Sequence, residues 1–263
     1  MHSTHQAGET LPRPAPRTLS SAGKTDIQGH RGLVIGVGIV LAWAVCLVAQ
    51  LAEPWRPGAV PFWIPFAFAL QTFLFTGLFI TAHDAMHGTL APSHPRLNHA
   101  LGALCVTLFV GFNYQKMRRN HMAHHASPGV PGDDPDFHDG RWTGPVAWYL
   151  GFMARYMSWR PLLIQAGLFQ VLTHGLGLPW HQVLLCQALP AVVSSMQLFF
   201  FGTWLTHRTP PGGHDNVHNA RSSSFPPWLS LLTCYHFGYH EEHHEVPSAA
   251  WWQLPAVRSE RRP

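Results

Sequence analysis

The chain has 263 residues, of which 46% are hydrophobic and only 11% are charged, with a formal net charge of +4. A soluble domain usually carries about 25% charged residues, so this composition excludes an ordinary soluble protein and predicts an integral membrane protein. The basic excess is typical of membrane proteins that keep Lys and Arg on the cytoplasmic side, and it does not call for a nucleic-acid partner. The four cysteines include no Cys-x-x-Cys pair, which argues against an iron–sulfur cluster.

The chain begins with a polar segment, Met1–Gly32, whose Pro, Ser and Thr content predicts a disordered tail. Two long uncharged segments follow, Leu33–Ala52 with 20 residues and Ala59–Ala82 with 24. Because a helix needs about 20 apolar residues to cross a bilayer, each is predicted to be a transmembrane helix. The next apolar segment, Ala100–Phe112, has 13 residues and is too short to cross, which indicates a re-entrant or surface-lying helix.

The second half of the chain is predicted to hold two further crossings. Trp142–Ser158 is aromatic and interrupted by Gly and Arg, so it is expected at the membrane interface. Pro161–Trp180 is the third predicted transmembrane helix, although it contains polar side chains, and the uncharged Val183–Thr206 is the fourth. Together these segments define one predicted membrane domain, residues 33–255, followed by a basic C-terminal tail, residues 256–263.

Four crossings place both termini and every cluster of histidines on one side of the membrane. The two outer loops are then Glu53–Gly58 and His181–Gln182, and of the 17 Lys and Arg residues they contain only Arg56. Positive residues concentrate on the cytoplasmic side. The sequence therefore predicts a multi-pass inner-membrane protein with both termini and the histidine-rich face in the cytoplasm.

Clusters of histidine lie next to the predicted transmembrane helices. They are His83-Asp-Ala-Met-His87, His121-Met-Ala-His124-His125 and His240-Glu-Glu-His243-His244, with a further pair at His214 and His218. Residues three and four apart share one face of a helix, so each cluster would aim its imidazoles at one point. All-nitrogen sites suit Zn, Cu, Fe or Ni. Up to ten histidines exceed the needs of one ion, so the pattern predicts two metal ions, with iron favoured over zinc.

Longer stretches around these clusters resemble the membrane fatty-acid desaturase and hydroxylase superfamily, and within it the bacterial-type β-carotene ketolases. Besides the three boxes, the matching stretches are Asp134-Pro-Asp136-Phe137, Phe201-Gly-Thr-Trp-Leu-Thr-His207-Arg208, His218-Asn-Ala-Arg-Ser222 and Cys234-Tyr-His-Phe-Gly-Tyr239. The resemblance covers roughly residues 60–255. Box one has three intervening residues, where desaturases and β-carotene hydroxylases typically have four, and this difference favours the ketolases.

The resemblance implies an all-α membrane enzyme with about four transmembrane helices, short interfacial helices and a cytoplasmic-face diiron site that uses O2. It implies oxidation of C4 of a β-ionone ring by two hydroxylations and loss of water. β-Carotene would give echinenone and canthaxanthin, and hydroxylated rings would lead toward astaxanthin. Electrons would come from an external ferredoxin-type donor. The basic residues Lys116, Arg118 and Arg119 could attract an acidic donor, although lipid headgroups are the favoured partners for them.

The resemblance also implies which side chains hold the irons. The ligands from the three boxes would be His83, His87, His121, His124, His125, His240, His243 and His244. A ninth would come from the segment before the last box, with His218 the first candidate and His214 a second if that segment is helical. His236, four residues before the last box, is a further candidate, whereas the spacing of His207 suits no box and indicates an indirect role. Metal-bound histidines usually donate their other N–H to a carboxylate or a carbonyl, and the expected carboxylates are Asp84, Asp134 and Asp136.

Two other functions remain open on the sequence alone. Another oxygenase of the superfamily, such as a carotenoid ring hydroxylase or a fatty-acid desaturase, would carry similar boxes and differ in its product. A non-catalytic metal-binding or transport protein would place its ligands inside the membrane along a path. The boxes here lie at the ends of crossings on one face, which argues against transport.

Overall fold

The structure is a computed structural model that describes residues 25–140 and 142–261. Within these ranges the secondary structure is helical, and the only β-type contact is an isolated bridge between Ser222 and Tyr239. The predicted all-α fold is therefore confirmed for the described part of the chain. The predicted N-terminal tail lies outside the described residues as far as residue 24, and helix α1 begins at Thr25, within that predicted tail.

Three helices in the described ranges are long and apolar enough to cross a membrane. They are α1 (Thr25–Ala52), α2 (Ile64–His87) and a continuous helix over Trp180–His207. They correspond to the first, second and fourth predicted transmembrane helices. Helix α1 exposes apolar side chains such as Val34 and Val45, whereas more than half of α2 is buried. Helix α2 therefore lies at the centre of the bundle and α1 at its edge.

Helices α3 (Pro95–Val110) and α4 (Tyr114–Ala126) form a bent pair whose axes differ by 102°. Gly111 ends α3 with a φ of 81°, a left-handed conformation that glycine adopts without a steric penalty. Asn113 then caps α4 by accepting a backbone hydrogen bond of 2.9 Å through its side chain. Because α3 packs against α2, the bend carries α4 and the second histidine box across the end of α2. The short helix predicted at Ala100–Phe112 is present as α3.

The third predicted transmembrane helix, Pro161–Trp180, is shorter in the structure than the sequence indicated. Helix α6 covers Trp159–Gln170 and continues as a π-helical turn only to Gly175. It is not among the helices that are long and apolar enough to cross alone. Gly177, with a φ of 68°, and Pro179 end the segment, because neither residue continues a helix.

This segment nevertheless joins opposite ends of the bundle. Before it, α5 (Pro145–Tyr156) occupies the segment predicted at the interface, and its Tyr156 donates to Asp136 near the histidine boxes. After it, Nε2 of His181 lies 2.9 Å from the carbonyl oxygen of Trp55, in the loop between α1 and α2. The 12 residues of α6 and the 5 of its π-turn together measure about 26 Å. Between Tyr156 and His181 the chain therefore passes from the histidine end of the bundle to the end that holds the loop between α1 and α2.

The helix Trp180–His207 is interrupted by two π-helical stretches. Its α-helical parts are α7 (Trp180–Val183), α8 (Leu189–Phe199) and α9 (Leu205–His207), and the π-stretches are Leu184–Ala188 and Phe200–Trp204. Helix α8 packs against α2, where the Thr76 and Ser194 hydroxyl oxygens are 2.9 Å apart. Such π-turns occur frequently at functional sites. The second one directly precedes α9, whose last residue, His207, lies at the same end of the bundle as the boxes.

The chain ends in short helices that cover the histidine end. They are α10 (Pro227–Cys234), α11 (His240–Glu245) and α12 (Leu254–Arg261). Tyr235 and His236, with φ values of 49° and 62°, turn the chain between α10 and α11. The predicted basic tail is helical as far as Arg261, because Leu254 and Val257 of α12 form an apolar cluster with Tyr239.

Candidate metal centre

The first cluster of imidazoles combines side chains from three helices. It contains His83 and His87 from the end of α2, His121 from α4 and His243 from α11. One ring nitrogen from each lies within 4.8 Å of those from the other three. We call these four residues the first group. The nearest pair of nitrogens, Nε2 of His87 and Nε2 of His121, is 2.7 Å apart.

The second group lies beside the first and also combines three helices. It contains His124 from α4, His207 from α9, and His240 and His244 from α11, again with one nitrogen each within 4.8 Å of the others. Nε2 of His244 is 3.1 Å from Nε2 of His124 and 3.2 Å from Nε2 of His240. All four residues are buried.

The adjacent histidines of the second and last boxes divide between the groups. His243 belongs to the first group and His244 to the second. With 3.6 residues per turn, consecutive helical side chains point about 100° apart, so one short helix supplies both sites. His125, next to His124, lies between the groups: its Nε2 is 3.0 Å from that of His243, and its ring stacks on His244 with centroids 4.2 Å apart. The two groups are therefore neighbours.

His207 is the residue that the sequence analysis placed differently. Its spacing fits no box, so an indirect role was expected, but the structure includes it in the second group. Its Nδ1 donates a hydrogen bond of 2.9 Å to the carbonyl oxygen of Asn219. That bond directs Nε2 toward the group, where it is buried without a hydrogen-bond partner. The sequence contained one indication of this role: His207 directly follows a predicted transmembrane helix, on the same side of the membrane as the first box.

His214 and His218 lie outside both groups. The segment that holds them consists of turns rather than a helix, so their spacing of four does not put them on one face. Gly212 and Gly213, immediately before His214, have φ values of 92° and 87°, which lie outside the right-handed helical region. The ring centroid of His218 is 5.8 Å from that of His244. The assignment of His218 and His214 as ligands stays a prediction.

His236 also lies away from the two groups. Its left-handed backbone directs the ring against Tyr239, with centroids 5.7 Å apart, and toward Trp251. Its Nδ1 is buried without a hydrogen-bond partner. Burial lowers the pKa of this imidazole to about 4, so the ring is neutral at physiological pH. Its role as a further ligand is not supported by this placement and stays a prediction.

Asp134 contacts a histidine of the second group directly. Its two carboxylate oxygens lie 3.0 and 2.9 Å from Nδ1 of His124, and they also accept hydrogen bonds from backbone N–H groups of Gly129 and Asp136. Burial alone would raise the pKa of this carboxyl, but the hydrogen bond and charge of His124 and the backbone N–H groups of Gly129 and Asp136 together outweigh burial, and the pKa is lowered. The ionised carboxylate holds the proton on Nδ1, which leaves Nε2 as a free lone pair facing the group.

The other two predicted carboxylates are placed less directly. Oδ1 of Asp84 lies 3.6 Å from Nδ1 of His83, longer than a normal hydrogen bond, while its Oδ2 accepts from the backbone N–H of Trp251 at 3.1 Å. Asp136 accepts a hydrogen bond from the Tyr156 hydroxyl. Among the three, Asp134 has the contact expected of a carboxylate that orients a metal ligand.

The donor atoms fit metal ions. Around an ion bound at about 2.1 Å, nitrogens at right angles lie about 3 Å apart, close to the distances found in both groups. Nε2 of His83 and Nε2 of His207 are buried without hydrogen-bond partners, as expected of atoms reserved for a ligand. Burial lowers the pKa of His240, His243 and His244 well below its usual value, so these rings stay neutral and keep their lone pairs. The two groups can therefore hold two metal ions.

Helix α12 stabilises the last box from outside the two groups. Nη1 of Arg258 donates to Oε1 of Glu242 at 3.1 Å, and its guanidinium lies 4.4 Å from the centre of the Tyr239 ring. The other oxygen of Glu242 accepts a hydrogen bond from the Ser222 hydroxyl. Because Glu242 lies in the middle of the box, this buried ion pair fixes the orientation of α11 and of the imidazoles on its opposite face.

A largely apolar pocket opens beside both groups. Its wall includes the imidazoles of His83, His121, His124 and His240. Much of the remaining wall is aromatic, with contributions from Phe79, Phe109, Phe112, Phe152, Phe199 and Phe237. Four further side chains are polar, namely Asp136, Tyr156, Ser195 and Thr203. The wall therefore suits an apolar group that contacts imidazoles of both histidine groups.

Phe237 lies in the pocket wall beside the imidazoles of both groups. Its ring packs against His83 and His240, with centroids 4.7 and 4.9 Å away. Gly202, in the second π-stretch, lies directly behind the ring: a Cβ atom there would be 2.2 Å from Cδ1 of Phe237. The glycine is therefore required for the ring to occupy its place, a constraint that the sequence did not reveal.

Comparison with known proteins relates this arrangement to one family. The model of the fatty acid desaturase family matches residues 59–169 and 153–263. A β-carotene ketolase from a Paracoccus species is 44% identical over 239 residues, which cover 90% of this chain and 95% of that relative. A β-carotene ketolase from Haematococcus lacustris is 35% identical over 273 residues, covering 94% of this chain and 83% of the relative. A zeaxanthin 4-ketolase from Chlamydomonas reinhardtii is 37% identical over 253 residues, covering 86% and 53%.

Proposed function

The chain belongs to the fatty acid desaturase family, and from this membership we propose that it oxidises C4 of the β-ionone rings of carotenoids to a ketone. The membership predicted from the histidine boxes is confirmed, and the chain is an oxidoreductase. The observation that carries the proposal is the apolar, aromatic pocket that ends against both histidine groups. A rigid polyene fits such a wall, and its terminal ring would meet the imidazole end.

The proposed cofactor is a pair of iron ions. The first group together with His125 would hold one ion, and the second group would hold the other. When bound, the irons would supply the oxidising power needed to place oxygen on an unactivated C–H bond. The protein side chains have separate tasks. Asp134 holds the His124 proton on Nδ1, and the phenylalanines of the pocket exclude water from the reacting ring.

The proposed reaction consists of two hydroxylations at the same carbon. Each consumes one O2, two electrons and two protons, and each releases one water. The resulting gem-diol loses a further water and leaves the ketone. The electrons are proposed to come from an external ferredoxin-type protein. Of the basic residues considered for its docking, Arg119 is exposed on α4, while Lys116 and Arg118 donate to backbone carbonyl oxygens.

Expression in bacteria that accumulate β-carotene is expected to yield echinenone and canthaxanthin, identified by chromatography and mass spectrometry. Metal analysis of the purified, active protein should give about two irons per chain, one for each histidine group. An alcohol as the end product would indicate a ring hydroxylase, and unchanged carotenoid with new double bonds in lipid chains would indicate a desaturase. One zinc and no iron would contradict the diiron proposal.

We further propose that the chain crosses the inner membrane four times, with both termini and the histidine groups in the cytoplasm. The change of ends between Tyr156 and His181 supports a crossing by α6 in addition to the three long helices. The charge distribution supports the orientation, since Arg56 is the only Lys or Arg in the two outer loops.

A reporter fused after Pro263 tests this orientation, and it should be active only in the cytoplasm. Fusion of the same cytoplasm-dependent reporter within the loop Glu53–Gly58 is the control and should be inactive, because that loop lies outside the cytoplasm in the proposed topology. A periplasmic signal from the C-terminal fusion would require an odd number of crossings and would overturn the proposed topology.

A further inference from the structure

Two polar side chains form a hydrogen-bonded pair within the wall of the apolar pocket. The Tyr156 hydroxyl, at the end of α5, donates to the carboxylate of Asp136. Both residues line the pocket next to imidazoles of the two histidine groups. A ring without polar substituents, such as the β-ionone ring of β-carotene, offers this pair no partner. The presence of this polar pair in a largely aromatic wall therefore requires an explanation.

Anchoring of the local backbone does not explain the presence of the pair. Nη1 of Arg155 donates to the carbonyl oxygens of Pro135 and Phe137, at 2.6 Å each. Nε1 of Trp148 donates to the carbonyl oxygen of Asp136 at 2.9 Å. These three bonds already hold α5 against the segment Pro135–Phe137. An apolar pair in place of the carboxyl and the phenol would keep them intact.

Burial of the carboxyl is also energetically costly. Removing an ionised carboxylate from water is unfavourable, and one hydrogen bond offsets that penalty only in part. Burial raises the pKa of Asp136, as expected for that penalty. Burial likewise raises the pKa of Tyr156 well above its usual value, so the phenol keeps its proton and remains a hydrogen-bond donor. Because the Tyr156 proton is already donated to Asp136, the pair offers acceptor oxygens to a hydroxyl group of a molecule in the pocket.

The position of the pair relates it to the reacting carbon. The backbone N–H of Asp136 donates at 2.8 Å to Oδ1 of Asp134, whose carboxylate binds His124 of the second group. Asp136 is therefore two hydrogen bonds away from a proposed metal ligand. In a hydroxylated β-ionone ring the hydroxyl is on C3, one bond from C4. A ring that presents C4 to the histidine groups would carry its C3 hydroxyl into the same end of the pocket.

We propose that Asp136 and Tyr156 form a binding subsite for the C3 hydroxyl of rings that are already hydroxylated. The carboxylate accepts a hydrogen bond from the ring hydroxyl, and the Tyr156 hydroxyl orients the carboxylate. The subsite makes 3-hydroxylated carotenoids such as zeaxanthin preferred over unsubstituted rings. This inference rests on the proposed ketolase function and names the substrate class that its pocket selects.

The test compares two substrates in the same membranes. Membranes that contain the wild-type chain or the Tyr156→Phe variant are supplied with β-carotene or with zeaxanthin, and the initial rate of ketone formation is measured for each. Tyr156→Phe removes the hydrogen bond that orients the Asp136 carboxylate, so the carboxylate should no longer be held toward the ring hydroxyl. The ratio of the zeaxanthin rate to the β-carotene rate should then fall by about tenfold, the effect of losing one hydrogen bond between the ring hydroxyl and a charged group. The ratio does not depend on how much protein is folded, so reduced stability cannot imitate the effect.

A matched control removes a different hydroxyl from the same helix. Tyr149 of α5 shares a hydrogen bond of 2.7 Å with the hydroxyl of Ser195, and Tyr149→Phe should leave the ratio unchanged. An unchanged ratio in Tyr156→Phe, or an equal fall in both variants, overturns the subsite. Failure of the wild-type chain to form a ketone from either substrate instead overturns the proposed function. The two failures are therefore distinguishable.

Discussion

Replacing His207 with alanine is expected to abolish nearly all ketone formation and to lower bound iron from about two to about one per chain. The variant removes one of the four imidazoles of the second group and leaves three donor nitrogens there. Loss of residues that merely orient ligands already costs about 10–100-fold, so direct loss of a ligand should exceed that. Iron content and product formation are measured on the same purified preparations.

The matched variants are His218→Ala and His214→Ala, which change histidines that lie outside both groups. The resemblance made His218 the ninth ligand, whereas the geometry makes His207 the better candidate. If His218→Ala abolishes ketone formation and lowers bound iron while His207→Ala does neither, then His218 is the ninth ligand, as the resemblance implied, and His207 is not a ligand. His214→Ala is expected to be milder than either.

Gly202→Ala is expected to reduce ketone formation severely and to lower the melting temperature in detergent. The added methyl group would lie 2.2 Å from Cδ1 and 2.5 Å from Cε1 of Phe237. The ring cannot move away freely, because it packs against His83 and His240. Overpacking of this kind costs about 1–3 kcal/mol. The displacement would also narrow the end of the pocket where the substrate ring meets the histidines.

Gly167→Ala provides the control for that substitution. Gly167 lies within α6, and a Cβ atom there would meet nothing within 4 Å. Alanine is more favourable than glycine in a helix by about 1 kcal/mol, so this variant should melt at the same or a higher temperature and remain active. Equal behaviour of the two variants would show that the contact between Gly202 and Phe237 has no functional consequence.

The features that the sequence predicted well are those set by local spacing. The first box at His83 and His87 and the last box ending at His244 lie on helices, because residues three and four apart share a helical face. Long uncharged segments likewise predicted three helices that could cross a membrane. Their physical cause is contained within some twenty neighbouring residues, so a single sequence is enough to find them.

The division of the histidines between two groups was not predictable in this way. His124 joins the group of His244, which lies 120 positions later, while the neighbouring His125 approaches His243. That choice depends on how α4 and α11 pack against each other. His207 was missed for the same reason, since its only link to the site is long-range. At His214 and His218 the shared face was expected only if the segment was helical, and the segment consists of turns instead.

The docking of α12 has a consequence for how the protein is made. Each histidine group takes imidazoles from α11, and α11 is held in place by the ion pair between Glu242 and Arg258. During synthesis the chain emerges from its N-terminal end, so residues 83–125 reach the membrane long before these partners exist. The two sites therefore close only after translation has passed Arg258, and ions cannot be captured with the full ligand set by a nascent, half-inserted chain. On the diiron proposal, metal loading is therefore expected to follow the synthesis of the C-terminal helices.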